Sequence, residues 1–200
     1  MVNNMKQNLA VHAVVGLLVG LAGFSLAVRA QTPTPTPTPA TQAPASVPAA
    51  NPADVATMDS TIASLYDVIS GGPGPRNWDR FRSLFVPGAR LIPTGRRQTG
   101  EVGSRVLTPD EYVQRSAAFL EKEGFFEREA SRRVEKFGNI AHVFSTYESR
   151  HKADDPKPFA RGINSIQLMN DGKRWWIVTV FWQAEDEKTP LPPEYLKSRN

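Results

Sequence analysis

The chain has 200 residues, of which 40% are apolar and 22% charged, and its formal net charge is +4. This length suits one folded domain with extensions, since a well-buried core needs roughly 100 to 150 residues. Lys6 and Arg29 supply two of the positive charges near the N-terminus, and the near balance of the remainder argues against a dedicated nucleic-acid surface. The sequence contains no cysteine, which excludes disulfides, thiolate metal sites and cysteine nucleophiles.

Residues 1–30 have the pattern of a secretory signal peptide. Lys6 lies in a short polar start, an apolar run covers residues 11–28, and Val28-Arg29-Ala30 forms a cleavage site before Gln31. We therefore expect an exported protein, periplasmic or secreted, with no membrane contact after cleavage. The alternative is a retained membrane anchor, although a spanning helix needs about 20 apolar residues.

Residues 31–53 are predicted to be a disordered linker. Thr-Pro repeats are followed by a tract of alanine, proline and serine. Proline removes backbone donors and favours extended polyproline II structure, so this segment cannot pack a core. A spacer is the first interpretation, and a proline-motif ligand for a partner is the alternative.

The folded domain is predicted over residues 54–185, followed by a C-terminal tail over residues 186–200. Apolar residues recur at three- and four-residue steps between Val55 and Ile69, which predicts a first helix. The glycines and prolines of residues 71–75 end it.

Two further helices are predicted from their capping residues. Asn77 is expected to cap a short helix that ends at Pro87-Gly88. Thr108-Pro109-Asp110-Glu111 combines a capping box with a proline at the first helical position. This motif predicts a third helix that continues to about Lys122.

From Phe125 onward the pattern changes to the alternation that is typical of strands. Two strands, 125–137 and 140–151, are expected to precede a hairpin from Phe159 to Gln183 about an Asp-Gly turn. The hairpin carries three of the four tryptophans, so the core must close over it. A short strand is expected at residues 89–92.

Two polar segments are expected to lie at the surface. Residues 96–105 are polar and contain glycine, which predicts a loop near the mouth of any cavity. The first long strand is rich in charges, including Glu127 and Glu129, and we expect cross-strand ion pairs on a solvated face.

This order of elements resembles the nuclear transport factor 2-like superfamily. The resemblance also rests on the arm Asn164–Leu168, the turn and arm Asp171–Val178 and the closing Trp182. That superfamily includes ketosteroid isomerase-like and polyketide cyclase-like domains. The resemblance covers about residues 54–183. It implies an α+β fold in which three N-terminal helices pack on a strongly curved antiparallel sheet, forming a cone with an internal pocket, and often a homodimer through the outer face of the sheet.

Enzymes of this superfamily place an Asp base, or a His-Asp pair, with Tyr donors inside the cone. The candidate catalytic residues here are His142 and Asp79. His142 has an unperturbed pKa near 6.5 and can serve as an acid or a base, or it can be a hydrogen-bonded structural histidine. Neither a metal site nor a cofactor is expected.

The ligand-binding prediction combines polar and aromatic side chains. Arg161 with Asn164 and Gln167 could orient a carboxylate or carbonyl ligand, and the alternative is that Arg161 pairs with Glu148 on a neighbouring strand. The expected ligand-binding residues are Tyr66, Trp78, Tyr112, Phe126, Phe144, Arg161, Asn164, Gln167, Trp176 and Trp182.

The first functional hypothesis is a small-molecule-binding or accessory domain without a catalytic set, whose ligand is apolar or carboxylated. One alternative is a cofactor-independent isomerase, dehydratase or cyclase, which requires an ionisable side chain at the cavity floor with a polar partner. The other is a dimeric protein-interaction module. Trp175 and Trp176 must point to opposite sheet faces, and the one that faces the cavity decides the site.

Overall fold

A computed structural model describes residues 47–197. The expected signal peptide and most of the expected linker lie outside this range. Within it, no helix is long and apolar enough to cross a membrane. The elements are α1 (Pro52–Val55), α2 (Met58–Ile69), α3 (Trp78–Ser83), β1 (Phe85–Arg96), β2 (Val102–Ser104), α4 (Pro109–Lys122), β3 (Phe126–Phe137), β4 (Ile140–Arg150), β5 (Ala160–Asn170), β6 (Trp175–Ala184) and a 3₁₀ helix (Pro193–Tyr195).

The helices begin at the residues that their capping signals predict, with one exception. The Asn77 side chain accepts from the backbone of Arg80 and caps α3, and Thr108 forms a capping box with Glu111 at the start of α4. The predicted first helix is instead divided into α1 and α2. Thr57 is extended, and its side chain caps α2 in a reciprocal pair with Ser60.

The strands form one six-stranded sheet in the order β2-β1-β6-β5-β4-β3. All neighbouring pairs are antiparallel except β1 and β6, which are parallel. The predicted strand at 89–92 is longer than expected, because a register shift between Phe85 and Arg90 lets β1 run through Pro87-Gly88. The predicted loop at 96–105 contains β2.

Helices α2, α3 and α4 cover one face of this curved sheet, and the core lies between them. Ile62, Phe81, Val143, Ile166 and Ile177 are fully buried there. This arrangement confirms the expected α+β class, and it is the architecture of the nuclear transport factor 2-like fold.

The last hairpin separates its two adjacent tryptophans as the pleat requires. Trp175 is buried in the core at 6% exposure. Trp176 lies on the outer face, where its indole nitrogen donates to Asp171 and the Arg174 guanidinium lies 3.6 Å from its ring centroid. Strict alternation would place Trp182 on the same face as Trp176, but a register shift between β5 and β6 places Trp182 on the inner face.

The C-terminal segment packs on the outer face of the sheet. The Tyr195 ring lies 5.3 Å from Phe144, and the Arg133 guanidinium lies 4.3 Å from the centroid of Tyr195. Thr146 donates a hydrogen bond of 2.6 Å to the Tyr195 carbonyl. The segment therefore covers part of the surface through which a homodimer was expected.

Gly162 should tolerate no larger residue. A Cβ there would lie 2.3 Å from the Gln183 carbonyl and 2.5 Å from the Tyr147 hydroxyl, whereas a Cβ at Gly95, in β1, would meet nothing within 4 Å. We expect Gly162→Ala to lower the free energy of unfolding by about 1–3 kcal/mol through overpacking. Gly95→Ala should be neutral or slightly stabilising. Urea unfolding of both variants tests this, and equal stabilities would contradict it.

Candidate functional site

A cavity of about 250 Å³ lies between the helices and the inner face of the sheet. Most of its wall is aromatic or aliphatic, as in pockets for small organic molecules. The lining residues are Leu65, Tyr66, Ile69, Phe81, Leu91, Tyr112, Phe125, Glu127, Tyr147, Ser149, Phe159, Ala160, Asn164, Val180 and Trp182.

Glu127 is the one ionisable carboxyl group in this wall. It faces Ser149 across β3 and β4, and the Ser149 hydroxyl donates a hydrogen bond of 2.8 Å to its carboxylate. The expectation that Glu127 lies in a solvated ion pair is wrong, because its side of β3 faces the cavity. The neighbouring Arg128 projects outward, where it pairs with Glu148.

The position of Glu127 is fixed by the end of α2. The backbone N–H of Glu127 donates to the Ser70 hydroxyl at 2.9 Å. Gly71 and Phe125 exchange two backbone hydrogen bonds of 2.7 and 3.0 Å. These contacts attach the first residues of β3 to the end of the helix that forms the cavity roof, so the backbone of Glu127 is held beside the cavity.

The protein environment raises the pKa of Glu127 to about 7, from an ordinary value of 4.5. Desolvation is the main cause, since an apolar cavity disfavours the charged form, and the hydrogen bonds from Ser149 and Asn164 oppose it. Within residues 47–197, no Lys or Arg forms a salt bridge with Glu127. The carboxyl group is therefore divided between its two protonation states near neutral pH, as an acid–base catalyst requires.

Three cavity tyrosines are protonated hydrogen-bond donors. Burial raises the pKa values of Tyr66, Tyr112 and Tyr147, and the charge of Glu127 raises all three further. Among the described residues, the Tyr147 hydroxyl has no side-chain partner. It is therefore free to donate to a ligand.

Tyr66 belongs instead to a polar chain behind the cavity. Ser145 donates to the Glu129 carboxylate at 2.5 Å, so its oxygen must accept from the Tyr66 hydroxyl at 2.7 Å. The Tyr66 oxygen accepts in turn from the Asn164 amide at 3.0 Å. The chain thus holds Asn164, whose amide also stabilises the charged form of Glu127.

The structure brings four of the ten expected ligand-binding residues into this wall: Tyr66, Tyr112, Asn164 and Trp182. The other six lie outside it. Trp176 is on the outer face, Phe144 packs against the C-terminal segment, and Trp78 lies behind Phe81 at 5.7 Å. Phe126 is also outside, because its neighbour Phe125 takes the inner position.

Arg161 and Gln167 lie on the outer face as well, because they alternate with the inward Asn164 along β5. Arg161 forms two hydrogen bonds with the Glu185 carboxylate, at 2.6 and 3.1 Å. Arg161 therefore lies outside the cavity wall, and its salt bridge is with Glu185. Glu148, the partner considered above, instead accepts from Arg128 and Arg150.

Neither candidate catalytic residue faces the cavity. The His142 Nε2 atom lies 2.9 Å from the Ser165 hydroxyl on the outer face of the sheet. The Asp79 side chain is 81% exposed and pairs with Arg82. Within residues 47–197, no three His, Asp or Glu side chains come together as a set of metal ligands.

Sequence reasoning missed Glu127, Tyr147 and Ser149. A signal for Glu127 was present in the segment Glu127-Arg128-Glu129. In a strand, the two acids lie on one face and the arginine on the other. Nothing in the sequence says that the acidic face is the inner one.

No family model matches the chain, and no curated protein matches it. Solved structures with a similar fold include a protein of unknown function with a cystatin-like fold from Nostoc punctiforme, at 11% identity and a TM-score of 0.47 over 66% of this chain and 95% of that one. A candidate ketosteroid isomerase from Shewanella frigidimarina matches at 17% identity and a TM-score of 0.41, over 60% and 89% of the two chains. A candidate dehydratase of the NTF2-like family from Streptomyces avermitilis matches at 11% identity and a TM-score of 0.45, over 66% and 96%. At these TM-scores the likenesses say nothing about chemistry.

The raised pKa of Glu127 makes stability depend on pH. The folded protein holds this proton up to about pH 7, whereas the unfolded chain releases it near 4.5. The contribution of Glu127 to stability is therefore full below pH 4.5 and is lost as the pH rises to 7. The side chain of Glu127→Gln is neutral at every pH. The unfolding free energy of this variant minus that of the wild type should therefore be up to about 3 kcal/mol larger at pH 8 than at pH 4.

Denaturant unfolding at several pH values measures this difference. The matched control is Glu135→Gln, on an exposed position of the same strand, which should follow the wild-type pH dependence. A Glu127→Gln curve parallel to the wild type between pH 4 and 8 would show that the carboxyl group is not desolvated.

Proposed function

We propose that the protein is an exported, cofactor-independent enzyme that moves a proton on a small, largely apolar substrate, with Glu127 as the acid–base residue. The observation that carries the proposal is a carboxyl group with a pKa of about 7 in the wall of an aromatic cavity. Its location outside the cytoplasm is supported by the signal-like pattern of residues 1–30.

The reaction class follows from the groups that surround Glu127. Its charged form accepts a proton from a carbon next to a carbonyl group, and the electron pair moves onto the carbonyl oxygen. The hydroxyl groups of Tyr147 and Tyr112 are donors that can stabilise that oxyanion. Glu127 then returns the proton to another carbon, which isomerises the substrate, or to a leaving hydroxyl group, which releases water.

The wall also supports a second function, the binding of a small molecule without chemistry. Apart from Glu127, most of the lining is apolar, and the Tyr66 and Ser145 hydroxyl groups are occupied within the protein. A cavity of this kind binds an apolar ligand whether or not a proton moves. The two functions differ in what Glu127 does.

The ring opening of 5-nitrobenzisoxazole separates these functions, since it needs one general base and a small apolar site. The base removes the ring C–H proton, the N–O bond breaks, and a coloured cyanophenolate is released. We expect catalysis to rise with pH through a midpoint near 7, and to fall about 100-fold in Glu127→Gln.

The control for this assay is Glu135→Gln, which should retain the wild-type rate. Activity that persists in Glu127→Gln, or a midpoint near the ordinary value for glutamate, would contradict the catalytic role. Binding of the probe without turnover would favour the non-catalytic function.

A further inference from the structure

A second pocket, of about 330 Å³, adjoins the cavity. Tyr112 and Trp182 belong to the walls of both, so these two side chains are shared by the neighbouring spaces. The remaining wall comes from the β1–β2 hairpin and from α4, and it brings three arginines together: Arg97, Arg105 and Arg115. We propose that this pocket is a subsite for the anionic end of the substrate, and the proposal rests on the function proposed above.

The three guanidinium groups are only partly neutralised by neighbouring acids. Arg97 lies 3.9 Å from Glu101, which is a long contact between exposed side chains. The backbone N–H of Thr108 at the start of α4 is the main cause that lowers the pKa of Glu111, and the charge of Arg115 contributes less, so this carboxylate is only a weak partner for Arg115. Within residues 47–197, Arg105 has no carboxylate within 4.0 Å.

Gly103 allows Arg97 to occupy its place in the pocket. A Cβ at Gly103 would lie 3.0 Å from one guanidinium nitrogen of Arg97 and 3.1 Å from another. The planar group therefore lies against the backbone of β2, where a side chain would displace it. Such packing restrains a long side chain that would otherwise lose conformational entropy on binding an anion.

The two spaces have opposite electrostatic character. Glu127 lies on β3, whereas Trp182 lies on β6, three strands away in the sheet order. The two spaces adjoin each other, with Glu127 in the wall of one and the arginines in the wall of the other. A negative group is repelled at the Glu127 end and attracted at the arginine end. The substrate class is therefore an elongated molecule with an apolar body and one anionic terminus, either a carboxylate or a phosphate.

Three probes of similar size test the subsite on the full chain: 4-phenyl-1-butanol, 4-phenylbutyrate and 4-phenylbutyl phosphate. Their dissociation constants are measured by calorimetry at low salt and at 0.5 M NaCl. We expect at least one anionic probe to bind about fivefold more tightly than the alcohol at low salt, with a smaller advantage at high salt. The anionic probe with the lower dissociation constant shows whether the subsite prefers a carboxylate or a phosphate.

The double variant Arg105→Gln/Arg115→Gln should lose this preference and keep the affinity for the alcohol. Arg161→Gln, on the outer face, is the matched control and should bind all three probes as the wild type does. A wild type that binds the alcohol as tightly as both anions, or a double variant that keeps the preference, overturns the subsite and leaves the role of Glu127 intact. Failure of all three probes to bind overturns the subsite together with the small-molecule cavity.

Discussion

The desolvation of one carboxyl group determines what this cavity can do. An isolated carboxylate in apolar surroundings is costly unless it is hydrogen-bonded or takes up a proton. Two effects reduce this cost for Glu127. Ser149 and Asn164 donate hydrogen bonds to its charged form, and its pKa of about 7 makes the neutral form accessible. An arginine within reach would stabilise the charge and abolish the base strength, so it matters that no arginine lines the cavity among the described residues.

Alternation along β3 and ion pairs with other acids keep the neighbouring arginines away from Glu127. Charged residues occupy both faces of β3, but the arginines near Glu127 form ion pairs with other acids. Arg128 pairs with Glu148 on the outer face, and Arg132 is held by Glu129 and Asp59 at the rim. The Glu129 carboxylate therefore has a full counter-ion, whereas Glu127, two residues earlier, has none within the described chain. Two glutamates on one strand thus differ in chemistry because one lies in the cavity and the other at its edge.

Local signals in the sequence predicted the starts of α3 and α4 and the four long strands, since capping residues and alternation act within a few residues of each other. Thr108 and Asn77 are examples. The site was predicted less well, because the concave face of a curved sheet is chosen by packing between distant segments. A run of charges such as 127–136 has the composition of a solvated surface, and only the α2–β3 contacts at Ser70 and Gly71 reveal that its first residue faces the cavity. The parallel pairing of β1 with β6 is equally non-local.

The same alternation determines how a substrate could be oriented. Asn164 and Trp182 are opposite each other on β5 and β6, so the amide that contacts the Glu127 side of the cavity is one strand away from the wall of the arginine pocket. An apolar body between them would contact Tyr147 and Tyr112, which line the cavity. The free energy of holding an anionic terminus among the arginines is then available to position a carbon atom against Glu127. Binding energy from a remote group of the substrate is a general means of aligning the reacting atoms, and in this fold it requires only that the two ends of the cavity differ in charge.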